Sequence, residues 1–75
     1  MAKLPSAGYR KVVKALRSFG WIVARQTDSH IIMTRSGEIV TLSVPDHKEV
    51  ARGTLRSLIR CADVTVDEFV AATHR

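Results

Sequence analysis

The chain has 75 residues, 45% of them apolar and 25% charged, with a net charge of +5. That length holds one domain, residues 1–75, around one core, and the apolar share is that of a globular chain and not a disordered one. No apolar run is long enough to span a bilayer, the scattered charges of MAKLPSAGYRKVVKAL do not make a secretion signal, and a single cysteine, Cys61, excludes an internal disulfide, so the expectation is a cytoplasmic protein without membrane contact.

The first element is a helix. Tyr9, Val12, Val13 and Leu16 follow the i, i+3, i+4, i+7 spacing of one helical face, while Arg10, Lys14 and Arg17 repeat on the opposite side. Ser6 or a neighbour can cap its start, and Gly20 can end it in a left-handed conformation. From Trp21 the apolar period falls to about two, the period of a strand. Strands are expected near 21–26, 30–35 and 38–44, with turns at Thr27-Asp28-Ser29 and Ser36-Gly37, and Pro45 closes the antiparallel meander. A two-residue turn at Ser36-Gly37 sets Arg35 opposite Glu38, Met33 opposite Val40 and Ile31 opposite Leu42. The apolar members of those pairs share the buried face, and the other face receives His30 opposite Ser43, Ile32 opposite Thr41 and Thr34 opposite Ile39.

PDHKEVARG is a polar connection. Leu55, Leu58, Ile59 and Ala62 mark a second helix starting near Gly53 or Thr54, with Arg52, Arg56 and Arg60 on its wet side. Thr65 and Glu68 form a capping box, and Val64 and Phe69 occupy staple positions, so a short last helix begins at about Val66. The order predicts an α+β fold: helix, three-stranded antiparallel sheet, helix, and a short extra C-terminal helix, with the helices on one face of the sheet. This is the layout of the double-stranded-RNA-binding fold.

Charge is unevenly distributed. Seven basic residues fall in the first 35 and only Asp28 opposes them, whereas the remainder holds five basic and six acidic residues. A basic half points to a polyanion, nucleic acid before membrane. There is no metal-ligand set, no His–x₃–His pair and no glycine-rich phosphate loop, so neither metal nor cofactor is expected. What remains is a histidine, His30, hydroxyls, and many cations. Such a set suits cleavage of RNA without a metal: an imidazole, which titrates near working pH, takes the proton of a ribose 2′-hydroxyl, and Lys or Arg holds the phosphate. A lone histidine at a strand start ordinarily has only a surface or hydrogen-bonding role. His47 is a second candidate on the polar loop, and Trp21 is read as core, not as a base-stacking platform.

The segments GYRKVVKALRSFGWIVARQTDSH, VTLSVPDHKEV and RGTLRSLIRCADVTVDEF resemble the HicA (YcfA-like) toxin family over roughly residues 5 to 70. Gly20-Trp21, Arg25-Gln26, Ser29-His30 and the GTLRS segment from Gly53 carry most of the resemblance. It implies a messenger-RNA endoribonuclease in which His30 is the general acid/base, together with a HicB-type antitoxin that occludes the His30 face of a monomeric toxin. Lys48 and Arg52 are then candidate phosphate contacts, with His47 beside them on the loop as a further RNA contact, and Ser29 is expected either to orient the imidazole or to contact the RNA backbone. Two departures stand out: Asp28 replaces the glycine common before Ser-His, and His47 and Lys48 are adjacent where the family often has an insertion. The alternative is a non-catalytic RNA-binding module of the same fold; a protein-interaction domain with a basic face is a third reading.

Overall fold

The computed structural model describes Leu4 and residues 6–74. Its elements run α1 (Tyr9–Arg17), β1 (Ile22–Gln26), β2 (His30–Thr34), β3 (Leu42–Pro45), α2 (Arg52–Cys61) and α3 (Val66–Thr73). The strands form one antiparallel sheet in the order β1-β2-β3, giving the expected α+β fold with its extra C-terminal helix.

Three helix boundaries have a clear local cause. α1 ends at Gly20, whose φ of +94° suits a residue without Cβ, while Gly20 N–H donates to the Arg17 carbonyl at 3.1 Å and Trp21 N–H to the Leu16 carbonyl at 3.3 Å. α2 ends in the same bonding pattern with Asp63 at φ 61°, a conformation aspartate tolerates better than most residues. At α3 the capping box is complete: Glu68 N–H donates to Thr65 Oγ1 at 3.0 Å and Thr65 N–H to Glu68 Oε1 at 2.8 Å. The N-cap of α1 is Gly8, without a side-chain cap, and Ser6 bonds instead to Glu49. α2 begins at Arg52, slightly earlier than expected.

The core lies between the helices and one face of the sheet. Val12 and Leu16 of α1, Ile31 and Met33 of β2, Leu42 and Val44 of β3, Leu55 and Ile59 of α2 and Phe69 of α3 are all buried, as is Trp21. Burying one such side chain contributes about 1.5–3 kcal/mol, so a domain this small depends on nearly all of them. The Arg35 guanidinium lies 4.9 Å from the centroid of the Trp21 ring and also donates to the Phe19 carbonyl at 3.2 Å.

The pairing of β2 with β3 differs from the expected register by two residues. Met33 lies opposite Leu42, Ile31 opposite Val44, Ile32 opposite Ser43 and His30 opposite Pro45. The Ser36-Gly37 turn does form: Glu38 N–H donates to the Arg35 carbonyl at 3.1 Å, and the two side chains pair at 2.7 Å. Beyond it, however, the chain does not enter the ladder until Leu42. Ile39 is 99% exposed and Val40 40% exposed, so the expected strand start at 38 is a loop. A shift of two residues keeps every side chain on its face and seats Val44, not Val40, in the core. The faces are therefore as expected although the partners are not.

Candidate active site

The turn between β1 and β2 is closed around His30. Thr27 N–H donates to the His30 carbonyl at 2.8 Å, His30 N–H donates to Thr27 Oγ1 at 3.0 Å, and the Thr27 hydroxyl donates to the His30 carbonyl at 3.1 Å. On its other side Asp46 N–H, just past β3, donates to the Ser29 carbonyl at 2.9 Å. The His30 backbone is thus tied to Thr27 in the turn, and the preceding Ser29 to Asp46 just past β3, which limits the positions the ring can take. Its side chain is half-buried on the face away from the helices, opposite Pro45.

Ser29 Oγ lies 2.9 Å from His30 Nδ1, and among the described residues Nε2 has no hydrogen-bond partner. If Nδ1–H donates to the hydroxyl, Nε2 carries a free lone pair and can act as a base; once protonated there, the imidazolium is the acid. Asp28, in the turn, needs no left-handed backbone, since among non-glycine described residues only Asp63 has a positive φ. The glycine usual at that place is not required by this turn.

A β-bulge in β1 adds a cation that spacing alone does not place. Val23 pairs with Met33, but Arg25 pairs with Ile32 and Gln26 with Ile31, so Ala24 is the extra residue. Without the bulge, Arg25 would share the helix-covered face with Val23; with it, Arg25 turns to the face of His30 and Ile32. Arg25 then stands diagonally from His30, a separation on the order of 7–8 Å that a long side chain spans.

The loop after β3 docks beside this turn. The His47 carbonyl accepts from Tyr9 N–H at 3.0 Å, and Val50 N–H donates to the Ala7 carbonyl at 2.8 Å. Gly8 approaches so closely that a Cβ there would lie 2.6 Å from the Lys48 carbonyl oxygen. The backbone therefore brings Ser29, His30, His47 and Lys48 into one region, with the His47 and Lys48 side chains exposed. Arg52 is not on that loop; it opens α2, exposed, beyond the Ala7–Val50 bridge. Two acids share the region, Asp28 in the turn and the half-buried Asp46. Among the described residues no three of His, Cys, Asp and Glu come together as a metal site would need, and no helix is long and apolar enough to cross a membrane.

The arrangement offers one imidazole bonded to a neighbouring hydroxyl, a cation on the same open sheet face and another on the adjoining loop. Neither a curated protein nor a solved structure matches the chain. A family model does, described as the HicA toxin of bacterial toxin–antitoxin systems; it matches residues 9–64, well over half of the chain and all of the site just described. The chain belongs to the HicA toxin family.

Proposed function

We propose that this HicA toxin is a metal-independent endoribonuclease that cuts messenger RNA in the cytoplasm, with His30 as general acid/base, and that a HicB-type antitoxin silences the monomeric toxin by covering the His30 face. The observation that supports the reading is the Ser29–His30 pair: an imidazole on a hydrogen-bonded turn, engaged through Nδ1 at 2.9 Å and with no partner at Nε2 among the described residues.

In the proposed reaction Nε2 takes the proton of a ribose 2′-hydroxyl. The freed 2′-oxygen bonds to the adjacent phosphorus as the bond from phosphorus to the 5′-oxygen breaks. The imidazolium returns its proton to the departing 5′-oxygen, leaving a 2′,3′-cyclic phosphate. Arg25 and Lys48 supply positive charge where the phosphorane develops negative charge, with His47 on the same loop as a further RNA contact and Arg52 farther out along the strand path. Ser29 acts through His30 as a positioning residue.

The mechanism requires an internal nucleophile. Replacing the ribose at the cut site by 2′-deoxyribose abolishes cleavage there while binding persists; continued cutting at the deoxy position contradicts it. A non-catalytic RNA-binding module predicts salt-sensitive binding and an intact RNA after long incubation.

A further inference from the structure

The helix-bearing side of the sheet is not fully roofed. Between α1 and β1 runs a groove of about 380 Å³. Val13, Val23 and Ile31 line its apolar part, and Val23 is 43% exposed although it faces the same way as the buried Met33. Arg10, Lys14 and Arg17 of α1 bring three cations to it, and none of its lining residues is acidic. β1 ends the sheet: it is bonded to β2 alone, and all five of its residues are exposed. Its sequence, IVARQ, has no proline, so every residue of the strand keeps its backbone N–H donor, although the bulge at Ala24 and the charge of Arg25 interrupt the edge. The bulge at Ala24 keeps both Val23 and Gln26 on the groove side.

We propose that this groove and the outer edge of β1 form a docking site for an extended, acidic segment of a protein partner. The segment adds beside β1 as a fourth strand, seats an apolar side chain against Val13 and Val23, and sets carboxylates against Arg10, Lys14 and Arg17. A strand added at an edge points alternate side chains to one face, so a run of acidic and apolar residues fits such a site. Charge complementarity decides the sign of the partner. The free strand edge and the apolar lining decide its class: a polynucleotide would use the cations but not the strand edge. Tyr9, the aromatic residue in the groove, is half-buried and packed against the core, which limits the ring face it can offer to a base. This site goes beyond RNA cleavage and lies on the sheet face opposite His30.

The test is selection of random displayed peptides on the immobilised full chain, followed by titration of an enriched peptide into ¹⁵N-labelled protein. Enriched peptides should carry Asp or Glu with Val, Ile or Leu between them, and should shift the amides of Val23, Gln26 and Lys14. Val23→Lys should weaken binding at least about tenfold, and Lys14→Glu should act in the same direction, with the amide spectrum of each variant still that of a folded chain. The proposal is overturned if enriched peptides lack acidic residues, if the shifts gather around His30, or if Val23→Lys binds like the unaltered chain. It is equally overturned if a short single-stranded RNA displaces the peptide from these resonances, which would assign the groove to nucleic acid. Binding is read without any RNA cut, so a chain that fails to cleave RNA would remove the catalytic proposal and leave this one standing.

Discussion

At the scale of single residues, the site depends on which way a few side chains face. His30 is held by three hydrogen bonds to Thr27 and oriented by Ser29, but the cation nearest to it in the sheet, Arg25, faces it only because Ala24 bulges. Arg25→Gln should lower RNA affinity about tenfold and flatten its dependence on salt, as expected for loss of one phosphate contact; titrations at several salt concentrations measure both. Asp28 works in the other direction. It is exposed, beside the proposed phosphate path, and not demanded by the turn geometry. Asp28→Gly should therefore strengthen RNA binding a few-fold at low salt, an effect that fades as salt screens the charge, without loss of fold. The Ser-His pair in its family setting is what singles out His30 in the sequence, and the structure adds the Ser29 contact to its ring. The face that Arg25 occupies was not legible, because strand alternation counted from Val23 assigns it to the other face, and a bulge leaves no mark in apolar spacing.

At the scale of elements, the helices were readable because each carries its own punctuation. Gly20 stops α1, and Thr65 with Glu68 starts α3, through contacts between residues close in sequence. The pairing of β2 with β3 was readable only in part. Alternation of Ile31 and Met33 with Leu42 and Val44 states which face is buried, but a slip of two residues satisfies that alternation equally well. The choice between the registers is made by tertiary packing: Arg35 is drawn to Trp21 and Phe19, and residues 38–41 leave the ladder. The docking of α1 on the loop after β3 was likewise hidden, since it joins backbone groups that no side-chain pattern reports. It gives a prediction. In Gly8→Ala the new methyl meets the Lys48 carbonyl, so α1 and the loop must separate, at a cost of about 1–3 kcal/mol. Thermal denaturation should show a melting temperature several degrees lower, and RNA cleavage should fall as Lys48 and His47 lose their place beside His30.

At the scale of the whole molecule, the sheet separates two surfaces. Its open face carries His30 and Arg25 beside the loop bearing Lys48; its other face carries the core and, past the edge of α1, the apolar groove with its three cations. The excess of positive charge in the first 35 residues serves both sides: Arg25 lies on the open face, and Arg10, Lys14 and Arg17 lie on the groove. A strand added at the free edge of β1 would lie next to Arg25 as well as the groove, so a partner docked there could also limit access to the open face. The central claim, that His30 performs RNA cleavage, is tested most directly by incubating a defined RNA with the unaltered toxin and with His30→Ala in the presence of a metal chelator. The unaltered chain should cut and leave 2′,3′-cyclic phosphate ends, while the variant keeps its melting temperature and loses at least about a hundredfold in rate. Cutting by His30→Ala at the unaltered rate would contradict the account.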